Sequence, residues 1–330
     1  MNSSPMMMSA ALVTRYGSPE VIRIAEVPRP EPKPGELLVR VRATTVSSGD
    51  SRIRSLTVPP GFRLLVQLAL GVRGPRQPVL GIELAGDVAA VGPGVSRFRV
   101  GDPVIAYVNA SMGAHAQYVT VAETGNVIAK PEHLDFEQAA ALCFGGLTAL
   151  HYLVSKARVQ ANERVLILGA SGTVGLAAIQ IARQHGAIVT AVCSGANAEL
   201  VRDAGAEAVI DYVEQDFTRN GQTYDIILDC VGATSYGQCK GSLAPGGRLL
   251  RVVASLAGQL AAPLQGRLSG HRVFASVSTG CAEDMRTLAE LARTGAFRPV
   301  IDSRYPFERI AEAHARVDSQ RKRGSVVVTL

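Results

Sequence analysis

LILGASGTVGLAAIQIARQHGA, residues 166–187, decides how this chain is read. A short apolar run leads into a turn carrying Gly169, Gly172 and Gly175, and the chain then continues as a helix-like segment. A side chain at such a turn would hold a pyrophosphate away from the backbone N–H groups and the positive end of the helix dipole. Glycine lets the phosphate reach both. The dinucleotide-binding spacing is G-x-G-x-x-G. The match here is Ala170-x-Gly172-x-x-Gly175, with alanine in the first place. Gly169, Ala170, Ser171, Gly172, Thr173, Val174 and Gly175 are therefore the candidate phosphate cradle. Alone, the pattern is equally compatible with a tight strand–helix turn that binds nothing. It also resembles the hydrolase elbow G-x-S-x-G, but Thr173 replaces the second glycine, and no acid–histidine pair follows at suitable strand ends.

Working outward, strands and helices alternate from about residue 129. RVLILGA, IVTAVCS, AEAVIDY, YDIILDCV, RLLRVVA and HRVFASVS read as strands, with VGLAAIQIARQHG, NAELVRDAG and SYGQCKGSLAPG as the helices between them. Continuous apolar strands separated by helices predict a parallel sheet covered on both faces. The second strand ends at AVCSGAN, where an adenosine ribose is expected. NAD sites favour Asp or Glu there. This chain has Ser194, Gly195, Ala196 and Asn197, with no carboxylate until Glu199. A missing acid removes repulsion against a 2′-phosphate, so NADP(H) is the expected cofactor. Ser194 and Asn197 are candidates to hydrogen-bond that phosphate, and Arg202 or Arg323 to supply charge; Arg202 also reads as an ordinary helix-surface arginine.

The first third reads as β-rich. ELLVRVRATTVS alternates like a strand with one wet face, and GIELAGDVAAVGPGV and GDPVIAYV are short strands split by glycine and proline turns. Residues 61–76, GFRLLVQLALGVRGPR, are nearly apolar all round, and the region 51–82 holds five arginines and no acid. After about residue 283, AEDMRTLAELARTGA is an amphipathic helix, and SVVVTL is a closing strand.

The bulk numbers set bounds. The chain's 330 residues are 47% hydrophobic, enough for two domains with their own cores, and no low-complexity tract or like-charge block points to disorder. A net charge of +6 suits an anionic ligand or a mixed surface, and no zinc-finger, basic-zipper or RNA-binding strand signature accompanies it, so no nucleic acid is expected. Cys143, Cys193, Cys230, Cys239 and Cys281 form no C-x-x-C pair and read as free thiols in a reducing compartment. The start, MNSSPMMMSAALVTRYG, is a poor signal peptide, and the uncharged run 165–182 is broken by three glycines and polar residues. A cytoplasmic protein without a transmembrane segment is the expectation.

Taken together, VLGIELAGDVAAVGPGVSRFRVGDPVIA, AALCFGGLTALHYL, the glycine turn, YDIILDCVGA, LAPGGR and RPVIDSRYPFERIAEAHARVDSQRKRGSVVVTL resemble the medium-chain dehydrogenase/reductase superfamily, most closely its zinc-free quinone oxidoreductase branch. The resemblance implies an α/β protein: a barrel-like, GroES-like catalytic domain (1–128 and 284–330) and a Rossmann doubly wound parallel sheet (129–283). It also implies a cleft active site and a homodimer. Zinc-dependent members use a cysteine and a G-H-E segment. The matching stretches here are Ser47–Asp50 and Gly81, Ile82, Glu83, and Phe144 stands at the third ligand position with Cys143 beside it. Isoleucine cannot bind zinc and serine is a poor ligand, so no metal is expected.

Without a Lewis acid a simple alcohol is hard to oxidise, and a quinone or conjugated enone is the better acceptor. By resemblance, Asp50 and Thr148 border the nicotinamide, with Ser47 where many relatives have asparagine. Tyr212 contacts the adenosine phosphate region; Val231 and Gly232 lie along the cofactor; Phe274–Ser276 line its nicotinamide side; and Lys322 and Arg323 close over the phosphate end. Asp50 reads equally as a helix cap, and Thr148 as one more helix residue. Many relatives carry a tyrosine two positions after the aspartate; here it is Arg52, which suits a substrate with an acidic group and leaves Tyr107 as a substitute proton donor. The stretch 51–76 is expected to overhang the substrate pocket as a lid, with a dimer contact or a membrane surface as the alternatives. Two other readings stay open: an enoyl reductase of polyketide or lipid assembly, and a non-catalytic crystallin-like or RNA-binding relative that holds NADPH.

Overall fold

The computed structural model describes residues 5–267, 269–278 and 280–330. Strands β1 (Met7–Val13) and β2 (Ile22–Pro28) pair antiparallel, an element not read from the sequence. β3 (Glu36–Val46) follows. The expected wet face is limited to Arg40 and Arg42; the carboxyl half, Thr44 and Thr45 included, is buried.

The region expected to overhang a pocket forms two short helices, α1 (Ser48–Ser55) and α2 (Arg63–Leu70). Ser47 caps α1 with its hydroxyl accepting from the Gly49 and Asp50 amides, while the Asp50 carboxylate accepts from the Ser47 amide, a reciprocal capping box. Then come β4 (Glu83–Val91), β5 (Pro103–Tyr107), β6 (Tyr118–Ala122) and β7 (Val127–Ala129), followed by α3 (Phe136–Ala140) and α4 (Cys143–Ala149), which continues in wider π turns through Lys156.

The alternating half is β8 (Arg164–Leu168), α5 (Thr173–Gln184), β9 (Ile188–Cys193), α6 (Ala198–Asp203), β10 (Ala208–Asp211), β11 (Tyr224–Asp229), α7 (Tyr236–Cys239), β12 (Leu243–Arg251), α8 (Leu256–Arg267) and β13 (Arg272–Ala275). The helix expected over SYGQCKGSLAPG is shorter than that stretch. It covers Tyr236–Cys239, gives way to a tight turn, and by Leu243 the chain is already strand, because LAPGG offers no helical face and glycine and proline break the helix. α9 (Ala282–Arg293), β14 (Ile301–Pro306), α10 (Ile310–Asp318) and β15 (Ser325–Thr329) complete the chain.

Among the described residues, six strands form a parallel sheet in the order β10-β9-β8-β11-β12-β13. This is the doubly wound Rossmann order. Its ligand crevice lies at the carboxyl ends of the two central strands, where the winding reverses, here β8 and β11. Val165, Leu166 and Ile167 of β8 are fully buried because α4–α5 and α7–α8 cover opposite faces, so the strand reads as unbroken apolar sequence. The other sheet runs β14-β15-β3-β4-β5-β7, with β6 also on β3, so the last strands of the chain join the sheet built by its first third. A parallel bridge between Gly172 and Gly324 ties the glycine turn to that returning segment. No helix among the described residues is long and apolar enough to cross a membrane.

Candidate active site

The glycine turn stands at the switch point. Gly169 follows β8 at φ +72°, a left-handed backbone that favours glycine, and a Cβ there would sit 2.5 Å from Cγ1 of Val231, two residues beyond β11. Gly175 is packed on the strand, since its Cβ would meet the Gly169 carbonyl oxygen at 2.4 Å. Gly172 differs. It is the N-cap of α5, and its Cβ would meet nothing closer than that same oxygen at 3.4 Å, so the space in front of the helix is free. The first amides of α5 have no partners within their own helix, which makes this turn chemically suited to a diphosphate. A dinucleotide therefore fits: Gly172, Thr173 and Val174 would hold its phosphates, and Val231 and Gly232 would lie beside it. Gly232, at φ +77°, donates its amide to Asp229 at 2.8 Å, which holds this loop in place.

At the adenosine end, Asn197 Nδ2 donates to Ser171 Oγ at 3.1 Å and to Ser194 Oγ at 3.2 Å, while Asn197 Oδ1 is buried without a partner. Three of the predicted residues thus meet, with an orphaned polar atom that a ribose hydroxyl would satisfy. The structure also places a carboxylate the sequence reading missed. Asp211, at the end of β10, accepts the Gly195 amide at 2.7 Å and the Val213 amide at 2.9 Å. In NAD sites an acid is expected at the end of the second strand; here it arrives instead from the neighbouring strand, sixteen positions after Gly195. Tyr212 is exposed next to it. Arg202 lies on α6, close enough to the end of β9 to act on Cys193. Arg323 is exposed, and its amide donates to Asp302 at 2.6 Å.

Facing the turn is a buried polar cluster. Glu83, on β4, accepts from the Thr45 hydroxyl and from the Phe144 amide, the latter at 2.5 Å. Burial pushes its carboxyl from 4.5 up to about 8, with the Asp50 charge adding to the rise and the two hydrogen bonds and Lys322 opposing it. Tyr107 on β5 stands opposite Glu83 in the ladder, so the two side chains share a face. Its phenol is pushed well above its ordinary 10, by burial first and then by the Glu83, Cys143 and Asp50 charges. No hydrogen bond engages that hydroxyl among the described residues. Cys143 is fully buried, and burial raises its thiol.

Asp50 is buried, and both carboxylate oxygens are used: one by the Gly81 amide at 3.0 Å, the other by the Ser47 amide at 2.8 Å and hydroxyl at 2.6 Å. It caps α1 and ties that helix to the segment before Glu83. The Thr148 hydroxyl is spent on the Phe144 carbonyl, one helical turn back, at 2.7 Å. Lys322 Nζ donates to the Thr173 hydroxyl and to the Gly324 carbonyl at 3.0 Å, so it stands at the start of α5. Desolvation lowers its ammonium to about 8 against the pull of Asp302 and Glu83. Phe274 is half-buried on β13. Ser276 is bound by its hydroxyl to His151 at 3.1 Å, and its carbonyl accepts from Tyr152. Arg52 is half-buried and desolvated, with no ion-pair partner among the described residues.

Zinc would need three or four N, S or O ligands. Ile82 occupies one expected ligand position, Glu83 has both oxygens engaged, and no three His, Cys, Asp or Glu side chains converge among the described residues. The donor set does not fit the ion.

Comparison with known proteins agrees with this architecture. The alcohol dehydrogenase GroES-like domain family matches residues 33–132, and the zinc-binding dehydrogenase family matches residues 204–328. The quinone oxidoreductase of Rattus norvegicus is 31% identical, with 100% of each chain covered. That of Pseudomonas aeruginosa is 32% identical, over 95% of this chain and 97% of its own. Among solved structures, the quinone oxidoreductase from Coxiella burnetii superposes with a TM-score of 0.88 at 26% identity, over 98% of this chain and 100% of its own.

Proposed function

This chain belongs to the medium-chain dehydrogenase/reductase family, in its quinone oxidoreductase branch, and on that premise we propose that it is a zinc-independent reductase of quinones or conjugated enones that uses NADPH. The observation that carries the reading is the open N-terminus of α5 at Gly172, set at the switch point of the parallel sheet and facing the Glu83–Tyr107–Lys322 cluster. When bound, the reduced nicotinamide supplies a hydride to the conjugated acceptor.

The chain's own groups do the rest. The amides at the start of α5 hold the diphosphate, and Lys322, fixed by Thr173 and the Gly324 carbonyl, adds positive charge there. Negative charge grows on the acceptor's carbonyl oxygen as hydride arrives, and a proton must follow. Tyr107 is the proposed donor: its ring shares a face with Glu83 across the β4–β5 ladder, and no hydrogen bond among the described residues competes for its hydroxyl. Glu83 and Asp50 position the loops around it, their oxygens being engaged by backbone and hydroxyl donors. NADPH is favoured over NADH because three neutral side chains, Ser171, Ser194 and Asn197, meet at the ribose end, and β9 ends without a carboxylate.

The test is NADPH oxidation against a panel of quinones and enones, with metal analysis of the purified protein. Turnover without bound metal is the expected result. Tight NADPH binding with no turnover on any acceptor would place the chain among non-catalytic relatives, and one zinc per chain with activity lost to chelation would refute the metal-free chemistry.

A further inference from the structure

Acidic residues are missing from two long stretches: residues 51–82 and 230–282 contain no aspartate or glutamate, in a chain with 28 of them. Each stretch carries one helix that exposes leucine. On α2, Leu64, Leu65 and Leu68 are 67%, 49% and 59% exposed, and Val72 just after it is exposed too. On α8, Leu260 and Leu264 are 71% and 63% exposed. These five are the exposed leucines of the described residues.

Helical spacing explains both faces. Leu64, Leu65 and Leu68 fall on one side of α2, while Leu70, on the other, packs against Val13, Val21, Leu80 and Met112. Leu260 and Leu264 are four residues apart on α8, and Ala262, on the opposite side, lies in the core under the sheet. Each helix is thus anchored by one face and turns leucines outward on the other, the reverse of an ordinary surface helix. The two helices start from one junction: the Leu256 amide donates to the Pro60 carbonyl at 3.0 Å, and Leu256 packs against Gly61. Because α8 follows the carboxyl end of β12, this junction lies on the ligand side of the parallel sheet.

We infer that this face, α2 with Arg63 and Arg73 and the outward leucines of α8, docks on an anionic lipid surface. Exposed leucines bury themselves among acyl chains, and arginines with no acid nearby complement the headgroup charge. A second copy of the chain is the poorer occupant. A self-complementary interface built from these two stretches would bring basic residues from both copies together without a carboxylate, whereas an anionic headgroup supplies the missing negative charge. The assignment is independent of which acceptor the cleft reduces.

The experiment is vesicle flotation of the full chain with phosphatidylcholine alone and with phosphatidylcholine containing phosphatidylglycerol, at low and high salt. Binding is expected only to the anionic vesicles and falls with salt. Leu64→Glu/Leu68→Glu and Leu260→Glu/Leu264→Glu are each expected to weaken binding at least about tenfold. Arg63→Gln and Arg73→Gln are each expected to weaken it about fivefold. Since these side chains are exposed, the variants should melt with the parent protein, which separates lost docking from lost folding. Several results would overturn the proposal: no flotation of the parent protein, equal binding to neutral and anionic vesicles, or retention on heparin without vesicle binding. So would a dimer that dissociates in Leu64→Glu/Leu68→Glu, or a raised KM for a water-soluble quinone in that variant with vesicle binding intact, which would make α2 a lid.

Discussion

The carboxylate of Asp211 accepts the amide of Gly195 at 2.7 Å, so an acid from the end of β10 reaches the loop that follows β9. Both Asp211 oxygens are occupied, the other by Val213, and the hydroxyls and amide of Ser171, Ser194 and Asn197 form the neighbouring surface. NADPH is therefore expected to bind at least about tenfold more tightly than NADH, and Ser194→Asp, which puts a free carboxylate beside the 2′-position, should reverse that order. Isothermal titration with both coenzymes decides it; equal affinities in the parent protein would remove the basis for NADPH.

Two glycines of the same turn should respond differently. Gly175→Ala drives a methyl against the Gly169 carbonyl and Ala170, and is expected to lower stability by about 1–3 kcal/mol. Gly172→Ala meets only one atom, at 3.4 Å, and its φ of −80° suits alanine, so its melting temperature should hold while coenzyme affinity drops about tenfold or more. If Gly172→Ala binds NADPH as the parent does, phosphate does not approach there.

Tyr107→Phe removes the proposed proton donor without changing the packing of the ring. kcat on an enone should fall about a hundredfold with little change in KM. An unchanged kcat, with an unchanged solvent isotope effect, would assign the proton to water.

Glu83 makes stability depend on pH in a defined direction. Its carboxyl rises from 4.5 to about 8 on folding, so between those values the folded protein holds a proton that the unfolded chain has released, and stability falls as pH rises through that window. Glu83→Gln should flatten the fall in melting temperature between about pH 5 and about pH 8 relative to the parent protein. Lys322 acts oppositely above it: with its ammonium lowered from 10.5 to about 8, stability rises between those values. A parent protein whose melting curve matches that of Glu83→Gln at every pH would mean the carboxyl is ionised throughout.

Arg54 is fully buried on α1. It donates to the Gly17 carbonyl, to His314 at 3.3 Å and to Asp318 on α10, and so pins the capped helix to the returning carboxyl segment. Arg54→Ala leaves these acceptors unpaired around a cavity and should destabilise by about 3 kcal/mol, read from urea denaturation. A loss below about 1 kcal/mol would show that the site collapses or takes up water at little cost.

The parallel sheet and its glycine turn were legible in the sequence because their signals are local. Continuous apolar strands mean burial on both faces, and glycines between strand and helix mean close backbone approach. The family resemblance extended that reading over the whole chain. What the tertiary structure alone decided depends on residues distant in sequence: Asp211 arriving beside Gly195, Thr45 and Phe144 together engaging Glu83, and the Gly81 amide taking the second oxygen of Asp50. A side chain's periodicity shows which face it lies on. Which partner waits there is set by strand order and by the returning carboxyl segment, and no local pattern encodes either.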